Sequence, residues 1–445
     1  MAGRQLWVQV VEGPSISARP TNPRHTAVAV GRGSILASDG SLLAVTRGTR
    51  RIYPQGSLTA QAVGYASARY GTSGLEDTYD RVLTAHTDAA DPLTQLRQIV
   101  SGGAGAPRGA DVVTTIDLAI QRALVARLSS HRRGAGVVID PRTGAVLALA
   151  SVPSYDPNGV DAGWSTLSTS AASPLLDRST SGLYPPGSTF KIVTAADALD
   201  SEAITPQSTF TDPGYLQVGN FTIHNDEDEI SGTTDLAGAF ALSSNVDFAQ
   251  IALKIGVERW FAYAQRWGLG APVAFDLPVE RDRLPAKNDT YDGILAQLGF
   301  GQASLLVTPM RMALVGATIA HGGTTPRPYL VRRISGSETS LATRPESIAQ
   351  PVSETTAQQV TALMVGVVNH GTGTAARLPN VTVAGKTGTA TNPHGRSHAW
   401  FVAFAPAEAP RVAVAVIVEN VGYGGTYAAP IAREVLRVAL ARPRS

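Results

Sequence analysis

The chain has 445 residues, 43% hydrophobic and 16% charged, with a formal net charge of +2 and no cysteine. That length suits two or three domains, and the composition is globular rather than disordered. The mild charge gives no reason to expect a nucleic-acid partner, and without cysteine there are no disulfides, thiolate metal sites or thiol nucleophile.

No run of about 18 apolar residues occurs, and the opening Met1-Ala-Gly-Arg-Gln-Leu-Trp7 lacks a signal-peptide core. Residues 1–110 alternate short apolar stretches, Thr26 to Val30 and Leu42 to Val45, with Gly, Pro and Asp turn signals, so this region reads as β-rich. Ser101 to Gly109 is rich in Gly and Ala and reads as a linker or surface loop. Asp117 to Leu128 has helical spacing with Asp117 as its cap. Ala135 to Ile139 and Ala145 to Ala150 are expected as strands joined by the turn Asp140-Pro-Arg-Thr-Gly144.

The stretch from about 188 to 370 reads as mostly helical. Thr308 to Ala320 illustrates it, with Pro309 in the first turn and Gly322-Gly323 ending the helix. Strands return at Val381 to Gly385, Ala399 to Ala405 and Val412 to Glu419, before a last helix from about Ala428 to Ala441. Strands at both ends of a region with helices between them imply one sheet whose halves are distant in sequence. Such a topology leaves a cleft where the sheet edge meets the helical insert.

Only four of the 37 basic residues are lysine: Lys191, Lys254, Lys287 and Lys386. The remaining 33 are arginine, whose side chain never gives up its proton, so each lysine invites the question whether its amine must. Two of the four fall in an ordered trio of short motifs: Ser188-Thr-Phe-Lys191, Ser243-Ser-Asn245 and Lys386-Thr-Gly-Thr389. Of the lysines only Lys191 has a serine three residues earlier, and of ten asparagines only Asn245 has one two residues earlier. One such motif alone is weak evidence; three in order are strong.

Tyr184-Pro-Pro-Gly187 cannot extend a helix, so Ser188 should open the helix that runs to Leu199. There its hydroxyl meets the positive end of the helix dipole and free backbone N–H groups. Lys191 lies one turn further on the same face and can reach that hydroxyl. A serine needs a base to become nucleophilic, and a lysine is a base only if burial and a neighbouring cation, here Lys386, lower its pKa. The plain alternative, a helix-capping serine, is outweighed by the company it keeps.

Ser243 and Asn245 sit between the helical patterns Leu236 to Leu242 and Phe248 to Ile255. A loop there can aim Ser243 at a leaving amine and Asn245 at a substrate carbonyl. Lys386-Thr-Gly-Thr389 ends the apolar strand Val381 to Gly385, where Gly388 lets a substrate backbone lie alongside. The Thr387 and Thr389 hydroxyls beside Lys386 suit a carboxylate, and the N–H groups of Thr389 and Ser188 can form an oxyanion hole. A phosphate loop would need glycine at Asn380, and no Gly-x-Ser-x-Gly or His-Glu-x-x-His occurs. Among the eight histidines, His224, His370, His394 and His398 show no metal-ligand spacing, and His398 reads as a rim residue. No metal or cofactor is expected.

Ser-x-x-Lys, a serine-containing second motif and Lys-Thr-Gly are shared by penicillin-binding proteins and serine β-lactamases. The whole chain resembles a class B penicillin-binding protein, a D,D-transpeptidase without a glycosyltransferase module, and is most similar to the actinobacterial penicillin-binding protein A group. Further segments carrying the likeness are Pro153-Ser-Tyr-Asp-Pro-Asn158, Gly299-Phe-Gly-Gln302, Val307-Thr-Pro309, Gly373-Thr-Ala375 and His398-Ala-Trp-Phe-Val-Ala-Phe-Ala-Pro406. Arg32-Gly-Ser-Ile35 with Gly40, Tyr53-Pro-Gln-Gly56, Gly64-Tyr65 and Gly74-Leu-Glu76 look like the pedestal, or dimerisation-like, domain of that class.

The resemblance implies an α/β (α+β) fold: residues 111–445 as a transpeptidase domain with a central antiparallel sheet flanked by helices and a helical subdomain, preceded by the β-rich pedestal at 1–110. It implies Ser188, Lys191, Ser243, Asn245 and Lys386 as catalytic residues and Thr387, Gly388 and Thr389 as substrate-binding ones. Arg32 and Glu76 are expected to pair at the domain junction. Ser188 would take an acyl group from the D-Ala-D-Ala end of a peptidoglycan stem peptide and pass it to an amine of a neighbouring stem. β-Lactams would be trapped as acyl-serines. The expected place is the extracytoplasmic face of a bacterial membrane, with an upstream anchor and a cell-wall glycosyltransferase as partner. A D,D-carboxypeptidase, a β-lactam-hydrolysing or resistance protein, and a non-catalytic sensor remain alternatives. Hydrolysis usually needs a carboxylate to activate water, and none can be picked out near the motifs.

Overall fold

The structure, a computed structural model, describes residues 31–84, 108–336, 340–392 and 395–442. The strand expected at 26–30, most of the linker expected at 101–109, and His394 lie outside these residues. The chain divides into two compact units.

The first unit takes in the described residues up to Leu118 together with Pro153–Leu176 and Tyr329–Arg344. It is built on a mixed sheet in which Asp111–Thr114 lies between Ile35–Leu36, to which it runs parallel, and Val331–Ser335, antiparallel. Leu42–Arg47 and Arg50–Ile52 continue the sheet on one side. Its polar centre is Glu76. Glu76 Oε2 accepts from Arg32 Nε at 2.7 Å and Oε1 from Arg51 Nε at 2.6 Å, with all three side chains buried. Asp80 adds a second carboxylate to Arg32 at 2.6 Å. The expected Arg32–Glu76 pair is therefore present, and it is internal to this unit. Burying one carboxylate between two guanidinium groups is tolerable because each charge is matched by an opposite one and a hydrogen bond.

The second unit is a five-stranded antiparallel sheet with helices on both faces. Its strands are β1 (Gly134–Ile139), β2 (Val146–Val152), β3 (Ala384–Ala390), β4 (His398–Ala405) and β5 (Val412–Val418), in the spatial order β3-β4-β5-β1-β2. As the strand positions suggested, its two halves come from opposite ends of the unit. β5, Val-Ala-Val-Ala-Val-Ile-Val, is buried throughout, as a strand covered on both faces should be.

On one face, α1 (Leu118–Leu128) and the C-terminal α7 (Gly424–Leu440) bring Leu124, Leu128, Ile431, Val435 and Leu436 onto Phe401, Ala403, Val414 and Val416. On the other lies α5 (Pro309–Ala320), started by the Thr308 hydroxyl accepting from the Arg311 amide and by Pro309 in the first turn. α7 begins four residues earlier than hydrophobic spacing alone suggests, because Gly424 and Gly425 carry no apolar signal.

Four further helices gather at the β3 edge: α2 (Lys191–Asp200), α3 (Leu236–Leu242), α4 (Asn245–Ile255) and α6 (Glu354–Asn369). The middle of the chain is less uniformly helical than expected. Two antiparallel pairs, Tyr215–Val218 with Phe221–His224 and Thr209–Asp212 with Gly232–Asp235, stand before α3.

Candidate active site

Pro185 and Pro186 stop regular structure, and the chain turns into a 3-10 segment, Gly187–Phe190, that runs directly into α2. Gly187 has φ +54°, and a Cβ on it would come within 2.8 Å of the Thr389 carbonyl oxygen, so the turn admits only glycine. The turn is clamped from several sides. Tyr184 exchanges backbone hydrogen bonds with Val307, the Gly187 amide donates to Gly301 O at 2.9 Å, and Trp400 Nε1 donates to Pro185 O at 3.0 Å. Tyr184 Oη donates to Glu419, which also holds Arg178. Ser188 thus sits on a rigid ledge, 7% exposed. Among the described residues its hydroxyl has no hydrogen-bond partner.

Lys191, one turn on, is fully buried. Its Nζ donates to Ser243 O at 2.5 Å and Asn245 Oδ1 at 2.9 Å, and lies 3.3 Å from Ser243 Oγ. The amine is thus engaged by the second motif rather than bonded to Ser188. Burial and the Lys386 charge hold its pKa well below the usual lysine value. A neutral amine has two N–H donors and one lone pair. The carbonyl and the amide oxygen use the donors, which leaves the lone pair to take a proton.

The second motif is bent by Ser243, which ends α3 in the left-handed region at φ +64°. Asn245 is already the first residue of α4, three residues earlier than the apolar pattern indicated, because the Ser244 hydroxyl caps that helix on the Asp247 amide. Lys386 Nζ donates to Ser243 Oγ at 2.8 Å. Ser243 therefore bridges the two lysines. Lys386 is also fully buried, which lowers its pKa to about 7 while Asp226 opposes the shift. Lys191 is pushed down by burial and by the Lys386 charge, so the two neighbouring amines disfavour carrying a charge together.

Lys386-Thr-Gly-Thr389 does not end the strand, as expected, but lies within β3, paired in register with Val402, Phe401, Trp400 and Ala399 of β4. The apolar Val381-Thr-Val383 lies before the strand, and the alternating Lys/Thr side chains carry it. Gly388 has a further reason beside the one expected. A Cβ there would meet Thr189 Cγ2 at 2.9 Å and Pro186 O at 3.0 Å, so its bareness lets the nucleophile turn pack on the strand. Thr387 Oγ1 is 2.5 Å from Thr372 Oγ1. β3 is an edge strand of this sheet among the described residues, so its outer side remains open to an added strand.

A cavity of about 460 Å³ opens over Ser188, Ser243, Thr387 and Thr389. Sequence reasoning missed much of its wall: Thr372 and Thr374 on one side, and Asp226, Glu227 and Glu229 on the other. The carboxylates sought near the motifs are thus present in space, contributed by a segment with no motif of its own. His398, expected at the rim, does not line the cavity; it accepts from the Asn420 amide and packs edge-on against Tyr184.

Also unforeseen is the polar support under Asn245. Asn225 Oδ1 accepts from the Asn245 amide at 2.8 Å, while its Nδ2 donates to Asp212 at 2.7 Å. Asp212 also accepts from Ser244 Oγ. Asp247 is buried close by, with Oδ1 unpartnered, and burial plus repulsion from Asp212 raises its pKa to about 6. A carboxyl whose folded pKa is raised favours the folded state below its ordinary pKa and loses that advantage as pH rises through about 6. Asp247→Asn removes this titration. Relative to wild type it is expected to gain about 1–2 kcal/mol in urea unfolding between pH 4 and pH 8. A constant difference across that range would contradict the assignment.

Residues 134–437 match the penicillin-binding protein transpeptidase domain, and residues 32–112 the penicillin-binding protein A dimerisation domain. The peptidoglycan D,D-transpeptidase PbpA of Mycobacterium tuberculosis is 36% identical, over 97% of this chain and 94% of its own length. MrdA of Escherichia coli K12, also a peptidoglycan D,D-transpeptidase, is 30% identical over 84% of this chain and 69% of its own. The ceftriaxone acyl-enzyme complex of M. tuberculosis penicillin-binding protein A superposes with a TM-score of 0.84 at 35% identity, covering 94% of this chain and all of that one. Its penicillin G acyl-enzyme complex gives 0.83. With the two lysines, the bridging serine and the clamped Ser188 turn arranged on this sheet, the chain belongs to the penicillin-binding protein transpeptidase family.

Proposed function

We propose that the chain is a serine D,D-transpeptidase in which Ser188 is the nucleophile, Lys191 its base, and Ser243 the proton carrier to the leaving amine. The observation that carries this is the Ser243 hydroxyl set between two buried lysines beside an unbonded Ser188 hydroxyl. Lys191 takes the Ser188 proton as Oγ attacks the penultimate D-alanine carbonyl. The backbone N–H groups of Ser188 and Thr389 hold the resulting oxyanion. The proton then returns through Ser243 to the amine of terminal D-alanine, which leaves. An amine of a second stem reverses the steps, giving up its proton to form the cross-link.

Asn245 orients the donor peptide, whose terminal carboxylate binds Lys386, Thr387 and Thr389, with the peptide lying along the open edge of β3. Gly388 contributes by letting the Ser188 turn approach. β-Lactams, which imitate the donor peptide, acylate the same serine. Residues 1–110 serve as the pedestal and 111–445 as the catalytic domain, with residues 111–118, Pro153–Leu176 and Tyr329–Arg344 of the latter belonging to the first compact unit. Enzymes of this family build cell wall, so the site of action is outside the cytoplasm, at the membrane face. A cell-wall glycosyltransferase supplying nascent strands is the expected partner. Among the described residues no helix is long and apolar enough to cross a membrane.

The test is intact-protein mass spectrometry after benzylpenicillin, followed by peptide mapping. One drug mass on the peptide containing Ser188 is expected, together with release of D-alanine from a stem-peptide donor only when an acceptor amine is supplied. An adduct elsewhere would overturn the assignment. Rapid loss of free drug without an adduct would favour hydrolysis.

A further inference from the structure

The two walls of the cavity touch at its mouth. Tyr423, half-exposed at the start of α7, donates its hydroxyl to Glu227 Oε1 at 2.5 Å. The two residues are 196 apart in sequence and both line the cavity over Ser188. Each is held by a fixed base. Tyr423 adjoins Gly424, where a Cβ would come within 2.5 Å of Gly388 O, so the start of α7 is packed directly on β3. Glu227 follows Asn225, whose side chain is tied to Asp212 and to the Asn245 amide. Glu227 itself is in the left-handed region, φ +57°, a conformation a glutamate adopts only when its surroundings impose it.

We propose that Tyr423 and Glu227 form a latch across the mouth of the cleft that selects what reaches Ser188 by bulk. Resting on the proposed acylation of Ser188, this assigns the latch to access rather than chemistry. A single hydrogen bond between exposed groups is weak. It therefore opens thermally and acts as a filter, one that a flat, small acyl donor passes more readily than a donor with a large side chain. Because Glu227 stands two residues from Asn225, the latch also ties the outer wall to the residue that positions Asn245.

The experiment compares acylation of the full chain by 6-aminopenicillanic acid and by ceftriaxone, for wild type, Tyr423→Phe, Glu227→Ala and the double variant. With the latch removed, the ceftriaxone rate constant should rise about threefold to tenfold, the small penicillin should change less than twofold, and the double variant should match either single one. Equal changes for both drugs, additive effects of the two substitutions, or slower ceftriaxone acylation would overturn the latch. Wild type that forms no adduct at Ser188 with either drug would instead overturn the functional reading itself. Thermal melting of each variant confirms that the comparison is between folded proteins.

Discussion

Ser188→Ala is expected to abolish covalent labelling by benzylpenicillin and D-alanine release while leaving the fold intact. Its hydroxyl has no hydrogen-bond partner among the described residues, so removing it strands no buried donor or acceptor. The ledge that carries it is fixed by other groups: the Tyr184–Val307 and Gly187–Gly301 backbone bonds, Trp400 on Pro185, and the close fit of Gly187 and Gly388. The stability change should therefore stay within about 1 kcal/mol, the usual net worth of a hydrogen bond, since no partner is left unsatisfied. Labelling by a fluorescent penicillin and a thermal melt, made on one preparation, decide both halves. Persistent labelling would place the nucleophile elsewhere. Loss of labelling with a large fall in melting temperature would show the hydroxyl to be structural.

The contrast between an unbonded Ser188 and a heavily bonded Lys191 also marks where the sequence was readable and where it was not. The motif residues could be found because each is unusual in its local setting: a serine after Pro-Pro-Gly, or a lysine in a chain that otherwise uses arginine. The sheet could be found because β4 and β5 are unbroken apolar runs. The walls could not. Asp226, Glu227 and Tyr423 reach the cleft only because a segment between two strand pairs and the start of α7 converge there in space. Nothing in their spacing announces it. That Gly388 also admits Thr189 and Pro186 against the strand could not be read from sequence, because only neighbours in the fold reveal it. Strand ends failed for a local reason. β3 is carried by Lys, Thr and Gly rather than by Val381 and Val383, so hydrophobicity pointed three residues too early at its start and five at its end.

Lys191→Met is expected to slow acylation by about 10²–10⁴-fold, the usual worth of a positioned general base. Methionine preserves most of the buried volume, so the loss is chemical rather than a packing defect. It deprives Ser243 O and Asn245 Oδ1 of a donor, which costs about 1–3 kcal/mol of stability, partly offset by removing an amine from a fully buried place. Lys191→Arg should be as slow, because guanidinium keeps its proton at every working pH. The pH dependence separates a base from a mere tether. In wild type the rate should rise as Lys191 loses its proton, since its pKa is depressed by burial and by Lys386, and should fall again as Lys386 discharges near pH 7. Lys386→Arg keeps that charge and should remove the falling limb while sparing the rising one. A Lys191→Met enzyme that acylates within tenfold of wild type, or that keeps the rising limb, would show that another group takes the Ser188 proton.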